Sequence, residues 1–139
     1  MDIKKENLED FKTAISSTVK SLSNSHKIEV SFGNQTSNSE KNSIKLPDLE
    51  RSGNKINFEE IRAIADSKSL RLRFSNNKTL KKYEPQGNIS KKLYSISEKI
   101  RCEKIGTSYF KGVKDNIENF YQKRILDLEL KSSEDKITE

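Results

Sequence analysis

The sequence predicts an α+β domain that is predominantly α-helical. It should contain four helices, including a C-terminal antiparallel helix pair, and a small antiparallel sheet of two or three short strands. Two patterns support this: apolar side chains recur at three- and four-residue steps in four stretches, and short stretches elsewhere alternate apolar with polar residues. Because only 31% of residues are hydrophobic and 35% are charged, the helices should be amphipathic and surround one modest core.

The N-terminal third predicts one helix followed by two strands. Helical spacing extends from about Glu6 to Ser23, with a stripe formed by Leu8, Phe11, Ile15, Val19 and Leu22. Residues 28–32 then alternate, which is typical of a strand. The stretch 34–42 is polar and predicts a loop. Ile44 and Leu46 lie on one face of a second strand, which could form a hairpin with the first.

The middle of the chain predicts a helix and a third strand. Asn57 is a suitable N-cap, with acids in the first turn, for a helix that ends near Ser67. Leu70, Leu72 and Phe74 then alternate with arginines, which favours a short strand, although a continuing helix is the alternative. Residues 75–87 are interpreted as a connecting segment.

The C-terminal part predicts two long helices. The first covers Ile89 to Ile105, with Gly106 in the position of a left-handed C-cap. The second runs from about Ser108 to Leu130. We therefore expect one domain over residues 1–130, followed at residues 131–139 by a polar, disordered segment that begins an acidic linker.

Positive charge is concentrated in the middle of the chain. The formal net charge is +6, yet residues 62–104 hold twelve Lys or Arg and four acids. This bias indicates either an acidic partner, such as a protein surface, nucleic acid or a carboxylate-rich ligand, or simply a solvated surface. The candidate partner-binding residues are Arg71, Arg73, Lys81, Lys82 and Arg101.

No catalytic or metal-binding pattern is found in the sequence. It lacks phosphate-binding glycine loops, HExxH, CxxC and GxSxG, so we predict no catalytic residue, no metal ligand and no cofactor in this domain. The single cysteine, Cys102, is interpreted as a packing residue, and the single histidine, His26, as a turn or capping residue. No apolar run reaches the length of a membrane span, and we expect a cytoplasmic protein.

Glu98 and Arg101 are three residues apart and therefore adjacent on one helix surface. Their spacing predicts a structural ion pair, either within the helix or between this helix and a neighbour. Glu103 should point in another direction, so the two carboxylates do not form an acid/base pair.

Five separated patches resemble the N-terminal region of the CobT-type subunit of aerobic cobaltochelatase. They are IEVSFG at residues 28–33, KLP at 45–47, ADSKSLRLR at 65–73, EKIRCEKIG at 98–106, and finally Gly112, Val113 and Asn116. The similarity covers about Phe11 to Arg124 in the same order.

The resemblance implies a non-catalytic interaction domain of a subunit that takes part in ATP-dependent insertion of Co²⁺ into hydrogenobyrinic acid a,c-diamide during cobalamin biosynthesis. The implied partners are an AAA+ ATPase subunit and a large chelatase subunit, and Mg-ATP and Co²⁺ would belong to the whole complex. The alternative is a small basic nucleic-acid-binding module, for which the arginines and lysines near Phe74 and Tyr83 could supply phosphate contacts and stacking.

Overall fold

The computed structural model describes residues 3–34, 42–49 and 57–137. In these ranges the chain forms α1 (Ile3–Leu22), β1 (Glu29–Phe32), β2 (Ser43–Leu46), α2 (Phe58–Phe74), α3 (Asn77–Lys82), α4 (Asn88–Tyr109) and α5 (Lys111–Ile137). The predominantly helical α+β class is therefore confirmed. None of these helices combines the length and the apolar character that crossing a lipid bilayer requires.

The larger core lies between α1, the two strands and α2. The stripe predicted for α1 does face inward, because its side chains are at most 9% exposed. Burial of this apolar surface is the main force that holds the N-terminal half together. The cluster consists of Leu8, Phe11, Ile15, Val19, Ile28, Phe32, Ile44, Leu46, Leu49, Ile61 and Ala65.

The two strands pair in parallel, so the predicted antiparallel hairpin is wrong. Glu29 lies opposite Ser43 and Phe32 lies opposite Leu46. Ten residues separate the strands in sequence, enough to return the length of a four-residue strand, which is roughly 13 Å. Most of the predicted 34–42 loop is outside the described residues.

Helix α2 continues through the predicted third strand. Asn57 is the N-cap as predicted, since its Oδ1 accepts a hydrogen bond from the backbone N–H of Glu60 at 3.2 Å. The helix then runs seven residues beyond Ser67, to Phe74. Leu70 is fully buried whereas Leu72 is 39% exposed, because residues two apart lie on opposite sides of a helix.

The predicted connecting segment contains a short helix, α3. Asn76 begins it, because its Oδ1 accepts hydrogen bonds from the backbone N–H groups of Lys78 (3.0 Å) and Thr79 (3.2 Å). The side chain of Asn76 therefore provides the N-cap that the sequence interpretation overlooked.

Helices α4 and α5 form the predicted C-terminal pair, joined at Phe110. The prediction of Gly106 as a C-cap is wrong: the helix continues to Tyr109, and the backbone N–H of Phe110 bonds to the carbonyl of Gly106 at 2.9 Å. Helix α5 continues to Ile137 rather than ending near Leu130, so residues 131–137, predicted as disordered, are helical. The division of the chain into a domain and a linker stays a prediction.

Helix α2 is the central element, since it packs against α1, α4 and α5. A second, smaller apolar cluster lies near its C-terminal end. Leu22 of α1, Leu70 of α2 and Ile117 of α5 form this cluster, with Phe110 and Val113 packed against it. The end of α1 and the start of α5 are thus fixed to the same region of α2.

Candidate partner-binding surface

Glu98 of α4 lies at the centre of a hydrogen-bond network that holds the C-terminal end of α2. Its Oε1 accepts from Ser75 Oγ at 2.8 Å, and Arg101 donates to both carboxylate oxygens at 2.7 and 2.8 Å. Arg101 also donates to the carbonyl of Phe74 at 2.8 Å, which satisfies a carbonyl in the last turn of α2. The ion pair between Glu98 and Arg101 is therefore present and acts between two helices as well as within one.

Arg101 lowers the pKa of Glu98. The Arg101 hydrogen bonds are the largest cause that lowers the pKa of Glu98 to about 2. Glu98 is therefore ionised at neutral pH although its residue is only 9% exposed. Removal of Arg101 would leave a buried carboxylate without its counterion.

Glu103 forms a second network between α4 and its neighbours. It accepts hydrogen bonds from Ser67 of α2 and from the hydroxyl of Tyr121 of α5, the latter at 2.9 Å. Lys99 Nζ lies 3.8 Å from Glu103 Oε1. Burial, and the hydrogen bond to Glu103, raise the pKa of Tyr121. Glu103 thus joins three helices.

A third polar contact fixes α5 to α2. Asn116 donates to Asp66 Oδ2 at 2.9 Å, and Asp66 is 3% exposed. Burial raises the pKa of Asp66, while the Asn116 hydrogen bond and the charge of Arg62 oppose that rise.

Two of the predicted partner-binding arginines make internal contacts. Arg71 donates to Ser95 Oγ of α4 at 3.1 Å. Arg73 donates to the carbonyl of Leu22 at 3.2 Å, and its guanidinium lies over the rings of Phe74 and Phe110, about 5.5 Å from each centroid. All three arginines, Arg101 included, therefore donate hydrogen bonds that join neighbouring helices.

Lys81 and Lys82 are placed differently, at the C-terminal end of α3, where both are exposed. Helix α3 is attached to α4, because Tyr94 Oη donates to the carbonyl of Leu80 at 3.3 Å. Lys82 Nζ lies 5.1 Å from the ring centroid of Tyr83, a side chain that is 64% exposed. The five predicted residues are thus not one patch: the lysines lie at the end of α3, and the arginines, of which Arg73 and Arg101 are also exposed, make contacts between helices.

Cys102 and His26 occupy different elements. Cys102 is fully buried in α4, where its thiol is 3.6 Å from Glu98 Oε1, and burial raises the pKa of the thiol. A buried thiol with a raised pKa is a poor nucleophile at neutral pH. His26 is exposed in the turn between α1 and β1.

One face of α4 is apolar and uncovered, which the sequence interpretation did not anticipate. Ile89, Leu93, Ile96 and Ile100 are 77%, 60%, 53% and 56% exposed. They lie on one side of the helix, while Glu98, Cys102 and Gly106 face α2 on the other. We call these four residues the α4 row. A contiguous exposed apolar row often marks a protein interaction site.

The α4 row is accompanied by positive charge. Lys92 and Lys104 lie beside it, and the structure gives neither an ion-pair partner within the residues it describes. The two carboxylates in the sequence of α4, Glu98 and Glu103, are both buried.

An open groove of about 600 Å³ lies between the start of α2 and α5. Glu59 and Lys123 face each other there as an ion pair, which lowers the pKa of Glu59. Arg62, Asn116 and Leu126 also line this groove. Its opposite charges neutralise each other, which distinguishes it from the uniformly basic surroundings of the α4 row.

Comparison with protein families shows which family the chain belongs to. The sequence model of the family described as "Cobalamin biosynthesis protein CobT" matches residues 5–137. The chain belongs to the CobT family. No solved structure matches it.

In this CobT-family chain, the patch at residues 98–106 lies at the contact between α4 and α2. Glu98 and Arg101 hold the end of α2, Glu103 binds Ser67, and Gly106 gives Leu70 the space that it fills. Glu98, Arg101 and Glu103 are therefore structural residues of that patch. The sequence did contain a signal for the open surface on the other side of α4: an apolar row with lysines beside it.

Proposed function

We propose that this domain is a non-catalytic interaction and scaffold domain of a cobaltochelatase subunit. In that role it takes part in ATP-dependent insertion of Co²⁺ into hydrogenobyrinic acid a,c-diamide, in the cytoplasm. Membership of the CobT family supports a role in cobalamin biosynthesis. The resemblance described above supplies the reaction.

The observation that carries the interaction role is the distribution of polar groups between the inside and the outside of the domain. The buried carboxylates Asp66, Glu98 and Glu103 each accept hydrogen bonds from a neighbouring helix or its flanking residue. These hydrogen bonds fix how the helices pack, because a buried carboxylate is tolerated only when polar partners satisfy it. Among the exposed groups, we assign the α4 row and the lysines of α3 and α4 to external contacts.

The proposed partners are the AAA+ ATPase subunit and the large chelatase subunit. Mg-ATP and Co²⁺ would then be handled in the whole complex. Among the five candidate partner-binding residues, Lys81 and Lys82 are best placed to contact an acidic partner, since both are exposed at the end of α3. Arg71 and Arg101 support that surface by joining α2 to α4, and Arg73 joins α2 to the end of α1.

A binding experiment with the purified ATPase subunit and, separately, the large subunit tests the proposal. The double variant Lys81→Glu/Lys82→Glu should weaken binding by about tenfold or more, because it reverses two charges at the surface. Lys20→Glu/Lys27→Glu is the matched control, since it makes the same charge change at exposed positions in α1 and the following turn. Equal binding by the Lys81/Lys82 variant and the natural chain would show that this surface is the wrong one.

The alternative, a nucleic-acid-binding module, has one observation in its favour. Tyr83 is exposed beside Lys82, as a stacking residue should be. Phe74, the other candidate ring, is partly buried and packs against the cluster of Leu22, Leu70 and Ile117. We expect flat fluorescence anisotropy with labelled oligonucleotides at low salt. Tight binding that falls steeply with salt would favour the alternative.

A further inference from the structure

The α4 row has the spacing of a coiled-coil seam. Its members are separated by four, three and four residues, which corresponds to positions d, a, d and a of a heptad repeat. In the same register Glu98 occupies position f, the side that a two-stranded coiled coil leaves to solvent. Here that side is buried against α2. From Ile89 to Ile100, helix α4 therefore exposes the face that a coiled coil buries, and the next d position, Glu103, is buried within the domain.

The positions beside the seam carry one sign of charge. Lys92 and Lys99 occupy positions g, and Lys104 occupies a position e. Of these, Lys99 is also paired with the buried Glu103 within the domain. The other two e positions are Ser90 and Ser97. Residues at e and g select the partner of a helix, because they face the e and g residues of the other strand. A complementary helix would carry carboxylates at those positions.

The same charges disfavour a second copy of this chain as the occupant. In a parallel pair of α4 helices, Lys99 at g would face Lys104 at e of the other copy. In an antiparallel pair, g positions face each other, so Lys92 would approach Lys99. Both arrangements bring like charges together, which opposes association.

We propose that α4 forms one half of an intermolecular helix pair, and that the other half is an amphipathic helix of another protein with Asp or Glu beside its apolar row. This inference rests on the proposed function and deepens it, because it gives the docking partner a chemistry. Binding would bury the α4 row, whose removal from water provides the driving force, while the flanking charges set specificity.

The shape of the α4 row favours a protein helix over a lipid surface. The row is narrow, lacks aromatic residues, and consists of one leucine and three isoleucines. Helices that lie on membranes present a broader apolar face, commonly with Trp or Phe. A single partner helix needs only a narrow seam for knobs-into-holes packing.

Two fluorescein-labelled peptides of about three heptads, both with leucine at a and d, test the proposal on the full chain. One carries Glu and the other Lys at e and g. Anisotropy should show binding of the acidic peptide and no binding of the basic one. The variant Lys92→Glu/Lys104→Glu should instead bind the basic peptide in preference to the acidic one.

The row itself is tested with Leu93→Ser/Ile96→Ser, which should weaken acidic-peptide binding by about tenfold or more. The matched control is Leu126→Ser/Leu130→Ser, which removes two leucines of α5 that are 57% and 64% exposed. Circular dichroism verifies that each variant remains folded. The control variant should bind the acidic peptide like the natural chain.

Several outcomes would overturn the inference. The first two are equal binding of both peptides, and acidic-peptide binding that is unchanged in Leu93→Ser/Ile96→Ser. The third is self-association in sedimentation equilibrium that this variant abolishes. The fourth is binding to phosphatidylserine vesicles that this variant also abolishes. No acidic-peptide binding together with retained binding of a chelatase subunit overturns this inference alone. Peptide binding through the row without binding of either subunit overturns the proposed function alone.

Discussion

Leu70 of α2 fills the space that a side chain on Gly106 of α4 would occupy. A Cβ atom built on Gly106 would lie 2.8 Å from Leu70 Cγ, well inside normal contact distance. Leu70 is completely buried, so it cannot swing into solvent to make room. The two helices approach closely at this point because one of them carries no side chain there.

Gly106→Ala should therefore destabilise the protein by about 1–2 kcal/mol, because overpacking outweighs the higher helix propensity of alanine. Gly112→Ala is the control: Gly112 is also in a helix, but nothing lies within 4 Å of its added Cβ. This control should be neutral or stabilising by up to about 1 kcal/mol. Urea denaturation measures both free energies of unfolding. A Gly106→Ala variant as stable as the natural chain would contradict the close packing.

Glu98→Gln should reduce the free energy of unfolding at pH 7 by about 1–3 kcal/mol, because it removes charged hydrogen bonds with Arg101 and weakens that with Ser75. The pH dependence gives a sharper test. The pKa of Glu98 is about 2 in the folded protein and 4.5 as its ordinary value. Its stabilising contribution is therefore complete above about pH 4.5 and is lost as the pH falls towards 2.

The measured quantity is the difference in free energy of unfolding between the natural chain and Glu98→Gln across this pH range. Other carboxylates titrate in both proteins, so the difference isolates Glu98. We expect it to shrink as the pH falls. A difference that stays constant from pH 5 to pH 2 would mean that the ionised form of Glu98 is not specifically stabilised.

Asp66 should behave in the opposite way, because burial raises its pKa above the ordinary value of 3.8. Its ionisation opposes folding as the pH rises through 3.8 and then through the higher folded-state pKa. Asp66→Asn removes this penalty and keeps an oxygen that can accept from Asn116, so at pH 7 it should be at least as stable as the natural chain. Asn116→Ala, which removes the donor, should cost about 1–3 kcal/mol. Thermal and urea unfolding compare the three proteins, and a marked loss of stability in Asp66→Asn would contradict this view.

Two isoleucines that both lie in helices should differ sharply in their contribution to stability. Ile61 of α2 is 4% exposed, whereas Ile96 of α4 is 53% exposed. Ile61→Ala should cost about 2–5 kcal/mol, because it leaves a cavity in the larger core. Ile96→Ala should change the free energy of unfolding by only about 0.5 kcal/mol. Similar losses in both variants would mean that the α4 row is covered within the domain itself.

The local elements were largely predictable because their signals lie within a few residues. The stripe from Leu8 to Leu22 predicted α1, and Asn57 followed by acids predicted the start of α2. Alternation at residues 28–32 likewise predicted β1. The alternation of Leu70, Leu72 and Phe74 misled, because an alternating triplet of residues is compatible with a helix that buries only one of its sides.

Contacts between distant segments were not predictable in the same way. The spacing of Glu98 and Arg101 predicted their ion pair, but not that Ser75 and the carbonyl of Phe74 would complete the network. Gly106 near a helix end has the pattern of a C-cap, and only its contact with Leu70 shows another role. For the candidate surface, sequence periodicity identified the α4 row as one face of a helix without deciding whether anything covers it.

The sequence by itself determined the helical class of this CobT-family chain, most of its helices, both strands and the concentration of positive charge in its middle third, because periodicity and composition are local properties. The tertiary structure decided which apolar faces are buried, which arginines bind neighbouring helices and that the two strands run in parallel. Those outcomes depend on how α2 packs against elements far away in the chain, and a pattern of neighbouring residues carries no information about that packing.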